Sequence, residues 1–114
     1  MSAAETLFRG GKYIYAVFMC HLSVEKALKA FYFLLNKEEP PKTHDLMFLV
    51  KISSLTLSED LSRFVEGLSS LSVPTRYPED LKRMSKDYDR ERTMEILIKS
   101  KDVLKCLKPL LNKG

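Results

Sequence analysis

The stretch KYIYAVFMCHLSVEKALKAFYFLLN, residues 12–36, decides the fold. Tyr13, Val17, Cys20, Val24, Ala27, Phe31 and Leu34 recur in it at alternating spacings of four and three. Ile14, His21, Leu28 and Leu35 widen that stripe on one side. An α-helix brings side chains back to one face about every 3.6 residues, so the pattern predicts a long amphipathic helix with a broad buried face. Glu25, four residues before Lys29, forms a favourable pair on the polar face. The helix must end before Pro40-Pro41, because neither ring continues it and Pro40 disfavours α geometry at Glu39.

Upstream, Ser2 to Arg9 reads as two helical turns stopped by Gly10-Gly11, short for a helix that must contribute to a core. Downstream, Thr43 reads as the N-cap of a short helix, with Asp45 in its first turn and Leu46, Leu49 and Val50 on one face. Thr56-Leu57-Ser58-Glu59 reads as a capping box opening a fourth helix, striped by Leu57, Leu61, Phe64, Val65, Leu68 and Leu71. Ser72 to Asp80 carries Pro74 and Pro78 and reads as a loop. A last helix follows from about Asp89 to Leu111, with Met94, Leu97, Lys101, Leu104, Leu107 and Leu111 on one stripe and Pro109 bending or fraying its last turn. Short connections between such helices predict antiparallel neighbours. The expected architecture is all-α: an up-and-down antiparallel bundle of four principal helices plus a short N-terminal one, a single domain over residues 1–114.

Composition agrees: 45% apolar and 30% charged residues fit a packed globular domain rather than a disordered one. The formal charge of +4 permits a phosphate-bearing partner without demanding one, since the Lys and Arg residues form no run. Cys20 and Cys106 belong to no CxxC motif and read as two buried thiols in a reducing compartment. No signal peptide opens the chain, and the longest apolar run falls far short of the ~20 residues a bilayer requires. A cytoplasmic protein without metal or cofactor is expected.

Several separated pieces carry a family resemblance. They are Lys12-Tyr13, Ala16, His21, Val24-Glu25-Lys26-Ala27-Leu28-Lys29-Ala30, then Pro41-Lys42-Thr43-His44-Asp45-Leu46, Arg76-Tyr77-Pro78 and Tyr88. In this order and spacing they resemble the HEPN family of nucleotide-binding and RNA-cleaving helical domains. The resemblance implies a bundle that dimerises through its long helices and is often associated with a minimal nucleotidyltransferase. The chain departs from the ribonuclease branch, which carries an Arg followed four to six residues later by His. No Arg here has a His at that spacing, and Arg83 to Tyr88 offers only Arg-x4-Tyr.

Candidate site residues follow. Arg76 and Tyr77 pair a bidentate phosphate ligand with a ring that can stack on a base, although Arg76 could equally pair with Glu79 or Asp80. Lys42, Thr43 and His44 stand where a loop becomes a helix and backbone N–H groups can hold phosphate, with Asp45 opposing an anion there. The alternative is an ordinary capped helix whose His44 anchors a neighbouring loop. Lys26 and Lys29 are further phosphate candidates. His21, one turn before Glu25, is either a proton relay or a satisfied structural pair. The aromatics of the second helix (Tyr13, Tyr15, Phe18, Phe31, Tyr32, Phe33) lie on more than one face and suit a core plus a dimer interface. The expectation is a non-catalytic, dimeric nucleotide-binding module beside a nucleotidyltransferase. A metal-independent endoribonuclease of toxin type, with Arg76 and His44 converging, and a structural helical adaptor are the alternatives.

Overall fold

The computed structural model describes residues 2–71 and 86–111. Five helices and no strand occur among them: α1 (Ser2–Arg9), α2 (Tyr13–Asn36), α3 (Leu46–Ile52), α4 (Glu59–Ser69) and α5 (Arg90–Leu111). Where α1 stops, Lys12 N–H donates to Leu7 O (2.8 Å) and Gly11 N–H to Phe8 O (3.1 Å). Gly11 adopts φ 74°, a left-handed position that costs glycine nothing, so the chain turns sharply into α2.

Which residues meet fixes the directions of the helices. Ala4 and Phe8 of α1 pack with Ala16 and Cys20 of α2 and Leu97 of α5. Short α1 therefore does contribute to the core, with both residues buried. Leu71, just past α4, packs near Ile14, Val17 and Tyr88, whereas Val65 and Leu68 meet Val24, Leu28 and Phe31. Thus α4 runs antiparallel to α2. Proceeding along α5, Leu97 meets Cys20, and Val103 and Leu107 meet the Val24–Phe31 region. The two longest helices are consequently parallel to each other and antiparallel to α1 and α4, in an all-α bundle. The α2–α5 pair forms the most extensive helix contact. Leu28, Leu46, Leu49 and Leu107 are fully buried around it, each contributing roughly 1.5–3 kcal/mol relative to exposure.

Several local readings shift. The N-cap of α3 is Asp45, not Thr43: its Oδ1 accepts from Phe48 N–H (3.1 Å), while Thr43 Oγ1 accepts from Asp45 N–H (3.1 Å). The N-cap of α4 is Ser58, two residues beyond Thr56, which places Glu59 and Asp60 in the first turn where the helix dipole favours them. The buried line of α5 is Thr93, Leu97, Ser100, Val103 and Leu107, so Lys101 lies at its edge rather than on it. Cys20 is buried but Cys106 is exposed, because it falls on the outer side of that line. Helix α5 continues through Pro109 to Leu111. Leu35 is 55% exposed, since the packed core along α2 ends at Phe31.

Candidate functional site

Helix α2 carries one buried carboxylate. Glu25, 4% exposed, lies beside the apolar side of the helix rather than on the polar face its pairing with Lys29 implied. A carboxylate removed from water is costly unless its oxygens are hydrogen-bonded. Lys29 Nζ donates to Oε2 at 3.2 Å and His44 Nδ1 donates to Oε1 at 2.8 Å. Because an ionised carboxylate only accepts, the His44 proton sits on Nδ1. The imidazole of His44 is 75% exposed, and the Lys29 side chain 24%.

His21 was the sequence partner of Glu25. Its Nδ1 stands 3.8 Å from the same Oε1 that His44 occupies, beyond hydrogen-bond length. His21 is buried, and its Nε2 has no hydrogen-bond partner. Burial pushes its imidazole below the ordinary histidine value; the Glu25 carboxylate and the His44 backbone act upward, and the His44 ring downward. His44 thus ties the segment before α3 to the middle of α2, and His21 waits beneath it.

The structure therefore brings His21, Glu25, Lys29 and His44 together. Lys26 is exposed on the same helix one residue beyond Glu25, and along the connecting segment Lys42 is exposed and Thr43 half-buried. At the start of α3 two of the backbone donors are already used: Phe48 N–H by Asp45, and Leu46 N–H by Ser69 Oγ at 2.9 Å. Ser69 had no signal in the sequence, since it reaches α3 from the end of α4. A shallow depression of about 730 Å3 beside it is lined by His44 and Thr43 but also by Asp45 and Glu66. Those carboxylates repel an anion from the depression. Arg76 and Tyr77 lie outside the described residues, as do Glu79, Asp80 and Arg83.

A separate cleft of about 460 Å3 lies between α4 and α5, floored by Phe64, Leu68 and Ile96. Arg92 and Lys99 on its wall are engaged: the Arg92 guanidinium sits 4.6 Å from the Tyr88 ring centre and donates to Asp87 O, and Lys99 pairs with Asp60 at 3.3 Å. Burial raises the Tyr88 phenol above its ordinary value. Among the described residues no group of three or more His, Cys, Asp or Glu is arranged to hold a metal ion. Among those residues no helix is long and apolar enough to cross a membrane.

The family model for the HEPN domain matches residues 1–110, nearly the whole chain. The chain belongs to the HEPN domain family. No curated protein and no solved structure matches this HEPN chain. Within the HEPN fold seen here, the Lys-Thr-His-Asp-Leu stretch earlier read as a loop-to-helix junction is where His44 crosses to Glu25.

Proposed function

We propose that this HEPN domain is a cytoplasmic nucleotide-binding module that works as a dimer beside a minimal nucleotidyltransferase. The observation that carries the reading is the cluster on Glu25. One buried carboxylate orients an exposed imidazole and a lysine toward the same surface, with Lys26 adjacent on α2. A lysine held in place loses little entropy on meeting a phosphate, the His44 ring donates to one through any N–H it does not spend on Glu25, and the cluster bears net positive charge once Lys26 is included. Calorimetric titration of a nucleoside triphosphate into the parent, Lys29→Ala and His44→Ala proteins tests it. Binding by the parent, weakened about tenfold in each variant, is the expected outcome. A parent that binds nothing at millimolar nucleotide overturns the reading.

Dimerisation draws support from the outward side of α2, where Tyr15 and Phe33 remain 45% and 49% exposed and Tyr15 packs edge-on against Phe18. Exposed rings along one helix mark an interface. Light scattering at micromolar concentration reads the mass directly, and a stable monomer counts against the dimer. A nucleotidyltransferase reading frame adjacent to the gene, and co-purification of its product, test the partnership.

The endoribonuclease remains the second reading because of one feature. With Nδ1 of His44 held by a buried carboxylate, Nε2 is left for solvent, the orientation a general base needs. Cleavage of single-stranded RNA that His44→Ala abolishes, with the fold intact, would put this reading first.

A further inference from the structure

Two imidazoles converge on one oxygen. Oε1 of Glu25 accepts from His44 at 2.8 Å, and His21 Nδ1 stands 3.8 Å from that atom, just beyond bonding distance. Lys29 holds Oε2 at 3.2 Å and leaves Oε1 to the histidines. These three, His21 and Lys29 on α2 and His44 from the segment before α3, are the charged or titratable groups paired with Glu25. Those acting on His21 are Glu25 and His44.

The two rings have opposite stakes. His44 is 75% exposed, so on leaving Glu25 it exchanges its bond for water or ligand at little cost. Glu25 is 6% exposed in its side chain and cannot do the same; a bare buried carboxylate is strongly unfavourable. His21 is buried with its Nδ1 3.8 Å from that oxygen, so a small shift lets it satisfy the carboxylate that His44 leaves.

We infer that Glu25 Oε1 is an exchange point: a terminal phosphate draws His44 away, and the Nδ1–H of His21 takes the vacated oxygen. His44 then reaches the ligand while the buried charge stays satisfied. The nucleotide-binding reading supplies what draws His44 away; the exchange itself is a property of the three side chains. It makes His21 a positioning residue, acting through Glu25 and never touching ligand.

Imidazole 1H–15N correlation spectra of the full chain test this, in the parent, in His44→Ala and in the parent with inorganic pyrophosphate. His44→Ala alters an exposed side chain, and a parent-like circular dichroism spectrum verifies its fold. In that variant His21 should carry its proton on Nδ1, with the slowed exchange of a hydrogen-bonded N–H. Its titration midpoint should rise by about one unit as the carboxylate comes within bonding distance. The tautomer is decisive, because loss of the His44 charge alone also moves the midpoint. A His21 whose Nδ1 remains without a hydrogen bond in His44→Ala overturns the inference. Pyrophosphate should reproduce the His21 change in the parent; pyrophosphate bound at Lys29 with His44 still on Glu25 overturns it too. Pyrophosphate that fails to bind overturns the nucleotide reading and the ligand-driven half of the exchange, and the His44→Ala spectrum still decides the other half.

Discussion

Replacing His44 by Ala removes the one side-chain bond that ties the segment before α3 to α2. That bond is 2.8 Å long and ends on a charged acceptor, a class worth about 1.5–3 kcal/mol. Two features put this case at the lower end. The ring is 75% exposed, so water already competes for it, and His21 stands 3.8 Å from the vacated oxygen. The start of α3 is held separately through Asp45 and Ser69. A loss of about 1.5 kcal/mol follows, or a fall in Tm of about 6 °C at roughly 4 °C per kcal/mol for a domain of this size. Urea unfolding followed by circular dichroism at pH 7 measures it. A double-mutant cycle with Glu25→Gln isolates the pair and should give a coupling of about 1 kcal/mol. A loss below about 0.5 kcal/mol with no coupling would refute the claim that Glu25 anchors this segment.

Three other outcomes are expected. Leu46→Ala, at a fully buried side chain in the main core, should cost about 3–4 kcal/mol by urea unfolding, and a cost under about 1 kcal/mol would contradict the packing described. His21 has a folded-state pKa below its unfolded one, so its contribution is fully present above about pH 6.5 and is lost as pH falls through the folded value; urea midpoints from pH 7 to 5 should fall less steeply in His21→Gln than in the parent. From its sequence context between two prolines, Arg76 should contribute more to triphosphate affinity than Lys29, about 1.5–3 kcal/mol, and parent-like binding by Arg76→Ala would remove it from the site.

The parts of the fold set by local chemistry were readable along the chain. The Gly10-Gly11 stop, the length of α2 and the start of α5 at Asp89, which accepts from Arg92 N–H at 2.8 Å, need only neighbours in sequence. The cap of α3 was not, because Thr43 and Asp45 are both competent and the choice falls to the one that Ser69 also reaches, 24 residues away. The face of α5 was misplaced for a related reason: Thr93 and Ser100 are buried there, and a stripe drawn through apolar residues passes them by. At the candidate site, the pairing of Glu25 with Lys29 was legible as an i, i+4 spacing. Its burial was not, since the group that makes burial tolerable, His44, arrives from 19 residues downstream.

The parallel pairing of α2 and α5 bears on how the chain acquires its structure. Cys20 meets Leu97, and Leu28 meets the Val103–Leu107 turn, across most of the length of the sequence. No hairpin can join two parallel helices, so their contact requires a long loop to close, with its entropy lost before the core rewards it. The α1–α2 corner at Gly11 and the α3–α4 contacts close short loops and can form early. Docking of α5 is left as the slow step, and it completes the core around residues contributed by every earlier helix. A domain of this kind belongs at the slower end of helical bundles in folding rate, and substitutions along α5 should act on its refolding more than substitutions within α1.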